Sequence, residues 1–181
     1  MNKSILVTGV SGSGKSAICN ELKKLGYRAY DIEEIHGLFN MINKSTGKIT
    51  DLKDYDKHNL ECIKQHDWIC DKKKLQKLIS KNVKKNVLNN VVFYCGTASN
   101  TDDLLTLFDK IILLKASKEI IRKRLSIRTS NDFGHTEEVQ NWVFEWKEWW
   151  ENHMVEKGAM TIDANHDLKE VVNDIVKKIK T

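Results

Sequence analysis

Three groups of residues in this chain have the types and spacing to handle phosphate. The first is Gly9-Val10-Ser11-Gly12-Ser13-Gly14-Lys15-Ser16, a G-x-x-x-x-G-K-S pattern. Gly9, Gly12 and Gly14 allow the backbone to curl round a phosphate without side-chain clash. The amides along Gly9, Ser11, Gly12, Ser13, Gly14, Lys15, Ser16 and Ala17 then form an anion-binding nest. Lys15 would reach the terminal phosphates, the Ser16 hydroxyl would hold Mg²⁺, and a helix starting here would add its positive end. The second group is Asp31-Ile32-Glu33, two carboxylates where a strand gives out. An acid there faces a transferring phosphate, although Asp31 could instead cap the next helix. The third is Arg124 and Arg128, four apart and so on one helix face, with Arg122 pointing elsewhere. Two guanidinium forks on one side suit phosphate clamping.

These groups need elements to hold them in place. Ser4–Thr8 reads as a buried parallel strand before the loop, and Ile18, Leu22 and Leu25 recur at helical spacing after it until Gly26. Further strands are expected at Tyr27–Tyr30, Val91–Cys95, Ile111–Leu114 and Ala159–Ile162. In open α/β sheets ligands sit beyond the carboxyl ends of the strands, which places Asp31 and Glu33 near the loop. Asp71 is expected to cap a helix carrying Leu75, Leu78, Ile79 and Val83, and Asp102–Phe108 to form a short helix. Ser117 caps the arginine helix, Thr136 opens a long one reaching about Lys157, and Asp167 with Glu170 starts the last.

Residues from about 35 to 90 show no clear strand and exceed an ordinary crossover, so they are expected to be a helical, acceptor-binding insert. Within it Trp68 and His66 could stack on or bind an acceptor, or Trp68 could be core. Gly96 opens a small-residue loop, Gly96-Thr97-Ala98-Ser99-Asn100, which either admits a ligand closely or is an ordinary turn. Thr129-Ser130-Asn131-Asp132-Phe133-Gly134-His135 follows the arginines and suggests a lid over about residues 122–136. Trp142, Trp146, Trp149 and Trp150 lie at helical spacing and read as a core face rather than a platform for bases.

The 181 residues, 40% apolar and 30% charged, fit one globular domain with a real core. No apolar run approaches the ~20 residues of a membrane span. No signal peptide is expected, because a core strand starts just after Met1. Cys19, Cys62, Cys70 and Cys95 form no C-x-x-C pair and the six histidines no H-E-x-x-H, so no dedicated metal site and a reducing, cytoplasmic setting are expected. The net charge of +5 includes Lys72–Lys74, Lys84–Lys85 and Lys177–Lys178. It suits anionic substrates without demanding nucleic acid, which is not expected as a partner.

Strands alternating with helices argue a parallel sheet flanked by helices. On these motifs the chain resembles the small P-loop kinases, namely nucleoside monophosphate kinases, shikimate kinase and gluconate kinase. The resemblance implies a three-layer α/β P-loop NTPase fold with a five-stranded parallel sheet. It implies ATP with Mg²⁺ at Gly9–Ser16, and Ser16 and Asp31 on the metal side. Asp31-Ile32-Glu33 is similar to the D-x-D of shikimate-type kinases, where the acids serve metal and acceptor. Arg124-x-x-x-Arg128 looks like the lid arginines of nucleoside monophosphate kinases. Asp163-Ala164-Asn165 looks like the adenine loop, with Ala164 and Asn165 as contacts. Nucleoside monophosphate kinases carry Asp-Gly where Cys95-Gly96 stands here. Lys15, Asp31, Arg124 and Arg128 are thus the expected catalytic set. Asp31, Glu33, Trp68, Gly96 and Arg128 are expected at the acceptor. The expected activity is γ-phosphoryl transfer to a small molecule by a monomer or homodimer. The acceptor is a nucleoside monophosphate, or a nucleoside or other small hydroxyl compound. The rival reading is a P-loop ATPase acting on RNA or a protein partner.

Overall fold

Ile5 and Val7 point to one side of the first strand and Leu6 to the other, and all three are buried. Two-sided burial is what the centre of a parallel sheet requires. The computed structural model describes residues 2–82, 88–129 and 132–180, with residue 89 described by its backbone alone. Val83, Lys84, Lys85, Ser130 and Asn131 therefore lie outside the described residues. The main sheet is formed by β1 (Lys3–Thr8), β2 (Arg28–Asp31), β6 (Val91–Cys95), β7 (Lys110–Lys115) and β8 (Met160–Asp163). Its order is β2-β6-β1-β7-β8, and every pairing is parallel.

Helices cover both faces. On one side α1 (Lys15–Lys24) and α7 (Leu168–Lys180) pack against Ile5, Val7, Phe93, Ile112 and Leu114. α5 (Lys118–Ile127) adds Ile121 and Leu125 to the same cluster. On the other side α3 (Lys72–Asn82) and α4 (Thr101–Leu104) pack against Val92 and Tyr94, and α6 (Glu137–Glu156) sets Met154 against Leu6, Ile111 and Leu113. Each fully buried aliphatic side chain here contributes about 1.5–3 kcal/mol. The caps fall where the sequence places them. Ser117 accepts from the Ile120 amide, Thr136 from Val139, and Asp71 from Lys74. Asp167 accepts from Lys169 and Glu170.

The insert differs from the sequence expectation. Besides the short helix α2 (Leu60–Lys64) it contains β3 (Phe39–Asn43), β4 (Ile49–Thr50) and β5 (His66–Cys70). These form an antiparallel sheet of order β4-β3-β5, so the stretch is not purely helical and does carry strands. The strands are short, and Asn40, Asn43, His66 and Asp67 interrupt their apolar pattern. Phe39, Met41 and Cys70 turn inward and are buried. Asn43 Oδ1 accepts the Ser45 and Thr46 amides and so builds the β3–β4 turn. Trp142, Trp146 and Trp150 pack on the core as expected. Trp149 does not: it is 67% exposed and stacks on His153. Among the described residues no helix is long and apolar enough to cross a membrane.

Candidate active site

The phosphate-loop residues sit where β1 gives way to α1. Gly12 and Gly14 adopt φ of 82° and 105°, a region costly for any residue with a Cβ. A Cβ on Gly9 would stand 2.5 Å from Ser13 Oγ and 3.0 Å from the Leu114 carbonyl oxygen. The loop is thus closed on itself, with the Ser13 amide donating to Val10 O at 3.1 Å. Lys15 Nζ donates to Gly9 O at 2.9 Å and to Val10 O at 3.3 Å. Its ammonium lies across the loop, 3.8 Å from Glu33 Oε1, with 11% of the side chain accessible.

The two carboxylates occupy different environments. Asp31 ends β2 and is buried, and its Oδ2 has no hydrogen-bond partner. It precedes the 3₁₀ turn Ile32–Glu34 but makes no capping bond to it, so the capping alternative is not realised. Glu33 Oε1 accepts the Thr97 amide at 2.9 Å. Burial lifts the Glu33 carboxyl above its ordinary value, against the pull of Lys15 and the Thr97 N–H. Glu33 keeps 32% of its side-chain surface accessible, enough for a substrate group to reach it. Gly96 explains how the turn comes so close. A Cβ there would fall 2.4 Å from Ile32 Cγ1 and 3.2 Å from Glu33 Cγ.

Cys95 stands where the resemblance has an acid. Its hydrogen bond with Cys19, together with complete burial, pushes its thiol well above the ordinary range. It therefore carries no charge at neutral pH, and the carboxylates next to it are Asp31, its register partner on β2, and Glu33.

Arg124 and Arg128 divide their tasks. Arg124 Nη1 donates to Ser13 O at 3.2 Å and Nη2 to Ala164 O at 2.8 Å. One guanidinium thus joins the phosphate loop to the loop after β8. That second loop is held by Asn165, whose Oδ1 accepts the Ser117 amide at 2.7 Å and whose Nδ2 donates to Asp163 Oδ1. Ala164 is buried. Arg128 lies just past the last turn of α5 and donates to the Phe133 carbonyl. Its charge and that of Glu33 influence each other, and burial lowers the pKa of both arginines. Arg122 instead turns to Asn141 and the Phe144 ring.

Trp68 stacks on Phe39 with ring centroids 5.0 Å apart and packs against the cluster that holds Ile32 and Ala98. His66 is taken up inside the insert, between Cys62 O at 2.7 Å and Thr50 Oγ1 at 3.0 Å. Three features were not singled out from sequence. Thr8 and Thr97 share a hydroxyl hydrogen bond of 3.0 Å at the ends of β1 and β6. Ser99 and Asn100 bond to β5. Asp132 meets Lys57 and His58 of the insert, which holds its carboxyl down at about 2. A run of small polar residues after a buried strand is the only signal for the first two. The third joins positions too far apart in sequence for any pattern to connect.

A family model described as AAA domain matches residues 5–145. Among curated proteins no sequence matches this chain. Solved structures share the fold at low identity. Deoxyadenosine kinase from M. mycoides, with dCMP and a flexible dCDP bound, is 20% identical with a TM-score of 0.56, covering 98% of both chains. Shikimate kinase from Acinetobacter baumannii, in complex with shikimate, is 16% identical with a TM-score of 0.60, covering 99% of this chain and 93% of that one. A sugar kinase from Janibacter sp. is 15% identical with a TM-score of 0.58, covering 99% and 95%.

Proposed function

The chain belongs to the AAA domain family, and from that premise we propose that it is a small-molecule kinase moving the γ-phosphoryl group of ATP to a hydroxyl acceptor. The observation that carries this reading is Glu33, a carboxylate 3.8 Å from the phosphate-loop lysine, held by the Thr97 amide and partly accessible. A hydroxyl must lose a proton during transfer and needs such a base. A phosphate acceptor is already ionised, needs no base, and is gripped with the most geometric specificity by guanidinium forks. The chain has four arginines, Arg28, Arg122, Arg124 and Arg128, and none lies in the insert. Arg28 is bound to Asn82 at the start of β2, and Arg122 faces α6. That leaves Arg124 and Arg128 at the nucleotide and the transferred group. The kinase folds that this chain shares include ones named for deoxyadenosine, shikimate and sugars, all bearers of hydroxyl groups.

The roles follow from position. The amides of Gly9 to Ala17 and the Lys15 ammonium hold the β- and γ-phosphates. Arg124 aligns that loop with Ala164 and Asn165, which line the base. Arg128 neutralises charge on the transferred group. Glu33, rather than Asp31, takes the acceptor proton. The Ser16 hydroxyl and Asp31, whose buried Oδ2 lacks a partner, suit Mg²⁺. When bound, Mg²⁺ supplies charge neutralisation at the phosphates. Positioning and electrostatics account for most of the acceleration in such transfers.

The test is incubation with γ-labelled ATP and Mg²⁺ against nucleosides, nucleoside monophosphates, sugars, sugar acids and coenzyme precursors. Label on the hydroxyl group of any of these compounds is the expected result. Label only on the phosphate of the monophosphates would overturn the choice of acceptor. RNA-stimulated hydrolysis with no phosphorylated product would overturn the kinase reading.

A further inference from the structure

We propose that Asn100 is a positioning residue for the acceptor, closing the outer edge of the insert sheet and thereby fixing the insert relative to Glu33. This rests on the reading above that the acceptor lies between Glu33 and the insert. Among the described residues β5 pairs with a strand, β3, along one edge only. Its other edge would leave the backbone groups of Trp68 and Cys70 unpaired, a costly state for a half-buried strand. Two residues of the loop after β6 meet that edge. The Ser99 amide donates to Trp68 O at 2.8 Å, and the Trp68 amide donates to Ser99 Oγ at 3.0 Å. The Cys70 amide donates to Asn100 Oδ1 at 3.0 Å, and Asn100 Nδ2 donates to Cys70 O at 3.1 Å. The carboxamide thus presents a donor and an acceptor to one residue, as a neighbouring strand would.

The same loop holds the base. Thr97, three residues earlier, gives its amide to Glu33 and shares a hydroxyl hydrogen bond with Thr8, the last residue of β1. The inner face of the insert sheet, with Phe39, Trp68 and Cys70, packs in the cluster that contains Ile32 and Ala98. Residues 97 to 100 therefore set the spacing between base, phosphate loop and insert. Asn100 touches none of the reacting groups, and although it precedes α4 its side chain makes no capping bond. Removing that side chain leaves the helix start intact and frees one edge of the insert.

The experiment compares wild type, Asn100→Ala and Asn100→Asp. It measures hydrogen exchange at the β5 amides, acceptor-independent ATP hydrolysis, and steady-state transfer to the acceptor identified by the panel. Asn100→Ala is expected to speed exchange at Cys70 and raise the acceptor KM roughly tenfold, the worth of two net hydrogen bonds. The kcat, the ATP KM and basal hydrolysis should stay within about twofold. Asn100→Asp keeps the acceptor for the Cys70 amide but loses the donor, so its KM should fall between the two. An unchanged acceptor KM in Asn100→Ala overturns the proposal, whether or not exchange quickens. A matching loss of ATP affinity and basal hydrolysis also overturns it, because that is general destabilisation. If wild type itself labels no acceptor, the functional reading fails first, and that arm shows it without reference to the variants.

Discussion

Gly96→Ala is the substitution whose consequence the geometry defines most sharply. The added methyl would stand 2.4 Å from Ile32 Cγ1, where ordinary contact begins at 3.4 Å. Something must move by about 1 Å. Ile32 cannot give way outward, because it is buried among Leu38, Phe39, Tyr94 and Ala98. Gly96 cannot retreat easily either, because its amide donates to Val7 O at 3.0 Å within the sheet. The Ile32–Glu34 turn must therefore shift and take Glu33 with it. Overpacking of this kind destabilises by about 1–3 kcal/mol. For a chain of this length that lowers the melting temperature by roughly 2–4 °C per kcal/mol. A base misplaced by ~1 Å loses on the order of 100-fold in rate, about 2.7 kcal/mol of barrier. The assay pairs kcat for transfer with calorimetric binding of a non-hydrolysable ATP analogue and a thermal melt. The expected outcome is a kcat about 100-fold lower, analogue affinity within twofold, and a modest fall in melting temperature. A wild-type kcat would refute the argument. So would an equal loss of analogue affinity, because the damage would then lie in the phosphate loop.

Other outcomes follow from the same geometry. Glu33→Gln should abolish transfer while leaving analogue binding intact, as calorimetry and product assay would show. Burial raises the folded-state pKa of Glu33, so stability from its protonated form is present at low pH and is lost as pH rises through the folded value. The Gln variant should accordingly melt no lower than wild type at neutral pH, and the wild-type rate should fall as pH drops through a value above the ordinary carboxylate range. Arg124→Ala removes two charge-assisted bonds, each worth about 1.5–3 kcal/mol, between the phosphate loop and Ala164. It should weaken the analogue at least tenfold. Arg124→Lys should not restore binding, since one ammonium cannot span both carbonyls.

The glycine-rich loop, its flanking elements and the helix caps are legible because their geometry is local. The loop pattern, the strand before it and the helix after it fall within a short window. Arg124 and Arg128 are separated by one helical turn, and each cap is a side chain acting on an amide a few residues away. The insert and the two carboxylates depend on contacts remote in sequence. β3 and β5 are short strands whose polar residues hide their alternation, and their identity as a sheet comes from pairing with each other and with Ser99 and Asn100. The sequence puts Asp31 in the catalytic set and Glu33 only at the acceptor. Only the approach of Gly96 and the Thr97 amide separates them in the fold, leaving one carboxylate partly accessible and the other buried. The period that Trp149 shares with its neighbours points it inward, yet it falls at the edge of that face and stacks on His153 in the open.

The most direct test of a base-assisted transfer to a hydroxyl is the phosphorus NMR spectrum of the products formed by wild type from ATP with a nucleoside and, in a separate incubation, with its monophosphate. The account predicts a new phosphomonoester resonance in the nucleoside incubation that is absent with Glu33→Gln. No such resonance there, together with a nucleoside diphosphate formed beside ADP in the monophosphate incubation and retained in that variant, would contradict it.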